Sequence, residues 1–138
     1  MREILFRGKR VDNGDWVEGW FCGGTCIHPF AKTVKSSQII DKDLFWHEVI
    51  PETVGQYTGL TDKNGKKIFE GDYIVCSQSI ESNHIDKYIE MGYVEMKHGA
   101  FGLHRKQGYY RPFKDWLEDY EYEVIGNIHD NPELLGGA

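Results

Sequence analysis

A mainly β fold built from hairpins follows from three observations on this sequence. Asn-Gly pairs stand between apolar runs at Asn13-Gly14 and Asn64-Gly65, and such a pair supplies the positive φ of a tight hairpin turn. Glycine reaches 16 residues and aromatics 14% of the chain, a pairing that suits many short strands joined by tight turns. One segment alone, residues 113–120, carries a helical period.

The opening hairpin runs from Ile4, Leu5 and Phe6 through the turn Asp12-Asn13-Gly14-Asp15 into a strand over residues 16–21. In that second arm Val17, Gly19 and Phe21 share one face, and Trp16, Glu18 and Trp20 the other. Trp16 and Trp20 therefore either cover the edge of the core or form a patch for a protein contact. Gly23-Gly24 ends the strand, and residues 25–37 read as an irregular excursion with room for one short strand. Between residues 38 and 50, Ile39, Ile40, Leu44, Phe45, Trp46, Val49 and Ile50 follow neither period, which fits a buried connector and short strands equally. Pro51 stops any helix there.

Residues 54–75 are the organising stretch: a strand, a type I′ turn at Asn64-Gly65 with φ > 0 at both residues, a second strand, and a corner at Glu70-Gly71-Asp72 before β character resumes. At that corner Asp72 can accept backbone N–H groups, so Glu70 and Asp72 read as structural caps rather than paired catalytic carboxylates. Residues 77–87 are polar and aperiodic, a surface loop. Residues 88–96 and 100–104 form a third hairpin around Lys97-His98-Gly99, the glycine again at the turn. Phe113, Trp116, Leu117 and Tyr120 stand at i, i+3, i+4 and i+7 behind Pro112, predicting a short helix of about two turns. Its acidic outer residues, with Glu121 and Glu123, read as a solvated face. The last strand, residues 122–128, alternates with Tyr122, Val124, Gly126 and Ile128 on one side.

The 138 residues fit a single domain spanning 1–138. A formal net charge of -6 repels phosphate backbones, which disfavours sequence-independent nucleic-acid binding while leaving room for a local basic face. Such a face is offered by Lys97, His98, His104, Arg105, Lys106, Tyr109, Tyr110 and Arg111, basic residues interleaved with the aromatics that single-strand binders stack on bases. No apolar run approaches a membrane span, the N-terminus lacks a signal peptide's apolar stretch, and three cysteines fit free thiols in an intracellular chain. Cys22, Cys26 and His28 form a C-x3-C-x-H cluster with zinc's ligand types, but a fourth ligand would have to come from Cys76 or a distant histidine such as His47. Free cysteines at a turn and a Cys22–Cys26 disulfide are the other two readings, and no metal or cofactor is expected. A cysteine nucleophile at Cys76 has no supporting signature.

Four blocks in order carry a family resemblance: residues 2–8 (REILFRG), residues 16–19 (WVEG), residues 54–72 (VGQYTGLTDKNGKKIFEGD), and residues 123–128 with 131–134 (EVIGNI, NPEL). In these the chain resembles the YopX family, small proteins of phages and prophages with no characterised activity. The resemblance implies a small SH3-like β-barrel in the cytoplasm of a bacterial host. With no catalytic constellation in the chain, the expected function is that of a non-enzymatic accessory protein working through protein–protein contacts as a homo-oligomer, with an unknown phage or host partner. The alternative is a nucleic-acid-binding barrel using residues 97–111. Because SH3-like folds serve both roles, fold alone does not choose between them.

Overall fold

The computed structural model describes residues 4–23, 26–27, 33–34, 36–79, 87–97, 99–105, 110–112 and 121–134. The chain divides into two compact units, Met1–Tyr57 and Thr58–Ala138.

The first unit contains β1 (Phe6–Lys9), β2 (Trp16–Cys22), β3 (Cys26–Ile27), β4 (Thr33–Val34), β5 (Gln38–Ile40), β6 (Trp46–Glu48), a 3₁₀ turn at Pro51–Thr53, and the start of β7 (Gly55–Thr61). Its sheet runs β6-β5-β2-β1-β7, every neighbour antiparallel, while β3 and β4 pair separately. Residues 38–50 thus resolve into a hairpin of two short strands, and the 25–37 excursion holds two strands rather than one. Antiparallel pairing places Phe6 beside Phe21, ring centroids 5.6 Å apart, and puts Ile39 and Val49 in the interior. Val49 reaches Gly8, where an added Cβ would come within 3.0 Å of it. An isolated bridge joins Arg10 to Val49, flanked by Val11 N–H to Glu48 O and Ile50 N–H to Lys9 O.

The second unit holds the rest of β7, β8 (Lys67–Phe69), β9 (Asp72–Ser79), β10 (Lys87–Lys97), β11 (Ala100–Arg105), β12 (Tyr110–Pro112), β13 (Glu121–Asn127) and a 3₁₀ turn at Pro132–Leu134. β9 to β12 form an antiparallel meander, and β13 returns beside β9 to give the order β12-β11-β10-β9-β13. Alternation along these strands turns Ile74, Cys76, Val94, Phe101 and Leu103 onto one face, where with Ile68 they make the core cluster. Truncation of each large aliphatic member of this cluster would cost roughly 2–5 kcal/mol.

Four expectations change. The strands lie in open sheets among the described residues, so the closed barrel is not formed. β9 runs on to Ser79 and β10 begins at Lys87, so strand replaces the ends of the expected 77–87 loop. A register shift between Val124 and Gly126 interrupts the alternation of the last strand, because one unpaired residue moves everything after it to the other face. Cys22 is disulfide-bonded rather than a free thiol, while Cys76 is buried and takes part in no disulfide. The expected helix over residues 113–120 lies outside the described residues. Among those described, no helix is long and apolar enough to cross a membrane.

Candidate protein-contact surface

The site is built upward from β2. Its pairing aligns Trp20 with Ile40, and Ile40 aligns with Trp46, so the three side chains stand in one cross-strand row. Trp16, four residues earlier on the same face, is half-buried beneath the Arg7 guanidinium, 4.5 Å from its ring centroid, with the Lys9 amine 5.7 Å away. Trp20 has no such cover among the described residues and is 55% exposed. The two tryptophans therefore differ: Trp16 is half-buried under two cations, and Trp20 is exposed.

Beyond Ile40 the chain turns back through residues 41–45. Asp41 N–H donates to Phe45 O and Leu44 N–H to Asp41 O, both 2.9 Å. The Asp41 carboxylate accepts from the N–H groups of Asp43 (2.9 Å) and Phe45 (3.0 Å), and its second oxygen lies 2.7 Å from His47 Nε2. The His47 contact, with those two N–H groups, holds the Asp41 carboxyl below the usual carboxylate range. Leu44 sits at φ 68, a conformation that costs a residue with a Cβ about 1–2 kcal/mol. Its side chain is 70% exposed and that of Phe45 66%.

On the second unit, the described residues include only part of the expected 97–111 basic face. Tyr93 and His104 are cross-strand partners and stack with centroids 4.7 Å apart, while Tyr110 stands opposite His104 in the next strand. An acid intrudes among them, because Glu95 Oε1 is 3.2 Å from His104 Nδ1. Burial, with the Glu95 charge beside it, raises the Tyr93 phenol. Lys97 is exposed and Arg105 half-buried, whereas His98, Lys106 and Tyr109 and the side chains of Tyr110 and Arg111 lie outside the described residues.

The turn residues take structural positions. Gly14, Gly65, Gly71 and Gly99 have φ of 74, 82, 93 and 79. Neither Asn13 nor Asn64 shares that sign, so the expected type I′ geometry is replaced: Gly65 N–H donates to Asp62 O and Asp62 N–H to Lys66 O, a turn whose last residue alone is left-handed. Asn13 instead accepts Asp15 N–H on its side-chain oxygen. Asp72, 1% exposed, accepts Phe69 N–H at 2.8 Å and fixes the corner at Gly71. Glu70 is half-buried beside it.

Cys22 cannot offer a thiolate to a metal while disulfide-bonded, which removes the first ligand of the C-x3-C-x-H cluster. Cys26 lies in β3, with its side chain, like His28, outside the described residues. Among the described residues no group of three or more His, Cys, Asp or Glu is placed to hold a metal ion.

The sequence reading missed Asp41 and Asp62. Asp62 is 6% exposed and accepts Asn64 N–H and Lys66 N–H on one oxygen, both at 2.9 Å, and Val124 N–H on the other at 3.1 Å. Burial pushes its carboxyl up, but the N–H groups of Val124, Lys66 and Asn64 outweigh that and leave it lowered. The available signal was an Asp-Lys pair opening each turn, Asp41-Lys42 and Asp62-Lys63.

Residues 5–136 match the model of a family described as YopX protein. No curated protein matches the chain. A crystal structure of protein EF1440 from Enterococcus faecalis is similar over 98% of this chain and 99% of that one, at 22% identity and a TM-score of 0.48.

Proposed function

Because the chain belongs to the YopX family, we propose that it is a non-enzymatic accessory protein of a phage or prophage, working in the bacterial cytoplasm through protein–protein contacts as a homo-oligomer. The observation that carries this is the set of large apolar side chains turned outward on the first unit, led by Leu44, Phe45 and Trp20. Water exposure of such groups is unfavourable by about 25 cal/mol per Å², and a row that includes tryptophan is the usual anchor of an interface. The chain is treated as one YopX-like domain, a reading supported by a family match that spans both units. An SH3-like strand order is supported for the second unit by a four-strand meander whose fifth strand returns beside the first.

Light scattering after size exclusion, over a concentration series of the intact chain, tests the proposal. A discrete oligomer that Trp20→Ala weakens is the expected result. A monomer at every concentration overturns it.

One observation favours the second reading, nucleic-acid binding by the second unit: the Tyr93–His104 ring stack, with Tyr110 at the register position opposite His104 on the next strand. Glu95 beside that stack and the chain's net charge of -6 oppose it. Fluorescence anisotropy with a labelled single-stranded oligonucleotide would show salt-sensitive binding if this reading holds. No binding at low ionic strength removes it.

A further inference from the structure

We infer that the 41–45 turn is the twofold contact of a homodimer, in which Leu44 and Phe45 of one protomer pack against the same residues of its partner and Lys42 faces Asp43 of the partner subunit. The inference rests on the protein-contact reading above and names the surface and its occupant.

Leu44 holds a left-handed backbone at φ 68 that glycine or asparagine would adopt with less strain, and its side chain, 70% exposed, packs little against its own chain. The same sequence places glycine at the matching position of another turn, Gly65 at φ 82 with an equivalent hydrogen-bond pattern, so the backbone does not demand leucine. A strained, exposed apolar residue held in place by its surroundings points to a role outside the chain.

The turn is also preorganised. Asp41 binds the N–H groups of Asp43 and Phe45 and the His47 ring, so Leu44 and Phe45 are presented on a turn already ordered before any partner arrives. Binding then has less ordering entropy to overcome.

Charge complementarity selects a second copy as the occupant. Lys42 and Asp43 are adjacent, exposed and opposite in charge, and neither forms an ion pair among the described residues. Across a twofold axis residue i meets j while j meets i, so two antiparallel copies of this dipeptide make two complementary charge pairs. A turn alone is small beside the roughly 800 Å² per partner of a stable interface. The contact therefore extends along the neighbouring cross-strand row, where Trp20 lies opposite Ile40, the residue preceding Asp41.

Charge reversal tests this on the intact chain by sedimentation velocity over a concentration series, with thermal unfolding measured beside it. Lys42→Asp and Asp43→Lys should each weaken self-association about tenfold or more, since each sets like charges against each other twice. The double variant K42D/D43K, which exchanges the charges, should restore most of the loss. Leu44→Gly should leave Tm unchanged or raised while weakening association, a pair of effects that a purely structural leucine does not produce. If the wild type associates, Trp20→Ala weakens it and none of the turn variants does, the twofold contact is wrong and the wider protein-contact reading stands. A wild type that is monomeric throughout overturns both.

Discussion

Two hairpin turns of this protein share one design and differ in what they present. In residues 62–66, Asp62 accepts the N–H groups two and four residues on, its own N–H bonds Lys66 O, and Gly65 takes the left-handed position. Residues 41–45 repeat each of these bonds with Asp41, Phe45 and Leu44. The second carboxylate oxygen separates them. That of Asp62 takes Val124 N–H, 62 residues on, and Lys63 N–H adds a bond to Tyr122 O, so this turn is sewn to β13. That of Asp41 takes, among the described residues, the nearby His47, and the turn carries two exposed apolar side chains outward. The same local chemistry thus serves interior attachment in one unit and external presentation in the other.

The largest effect that would break this comparison comes from Asp62. Asp62→Ala leaves three N–H groups without their acceptor around a site that is 6% exposed, and we expect a loss of about 3 kcal/mol in urea denaturation. Asp41→Ala should cost less than half as much, because its side chain is more exposed than that of Asp62, at 22%, and its partners are local. Equal losses would mean that the attachment to β13 contributes nothing.

Next in size is the exchange at the left-handed position. Gly65→Leu should destabilise by about 1–2 kcal/mol, since nothing crowds an added Cβ there and backbone strain is the whole penalty. A neutral result would remove strain as the reason that Leu44 is informative.

The acid limb of stability sharpens the contrast further. Because the folded-state carboxyl of Asp62 is held below its unfolded value, its contribution is fully present above about pH 4 and is lost as pH falls through the folded value. Asp62→Asn retains an oxygen for Asn64 and Lys66 but turns a donor toward Val124 N–H. The variant should be less stable at neutral pH and lose less on further acidification. An unchanged acid limb in the variant would assign that limb to other carboxylates.

Hairpins were legible in the sequence because their signals are local. Glycine at a positive-φ position and alternation over a few residues announce Gly14, Gly65, Gly71 and Gly99 without reference to the rest of the chain. The 41–45 turn was not legible, since its left-handed residue is a leucine and no propensity rule places leucine there. The bulge after Val124 was missed for a related reason: it is fixed by pairing with β9, which no local pattern reports. Trp16 and Trp20 read alike in sequence, and only Arg7 and Lys9, supplied by the neighbouring strand, tell them apart. The candidate surface was therefore half visible: Trp20 by its type and face, the turn beside it not at all.

The smallest predicted effect compares the lysines that occupy the same position in the two turns. Lys63 Nζ lies 3.2 Å from Glu123 Oε2, with both side chains well exposed, 47% and 39%. Such a pair contributes about 0.5 kcal/mol or less and is screened by salt. Lys63→Ala should lower stability by about that much at low ionic strength and by nothing measurable at high, a difference read from paired urea titrations. Lys42 has no ion pair among the described residues, so Lys42→Ala should leave monomer stability unchanged at either salt concentration and alter self-association alone. A salt-dependent stability loss in Lys42→Ala, at a concentration where the chain is monomeric, would show that this lysine serves its own fold and would erase the distinction between an attached turn and a presented one.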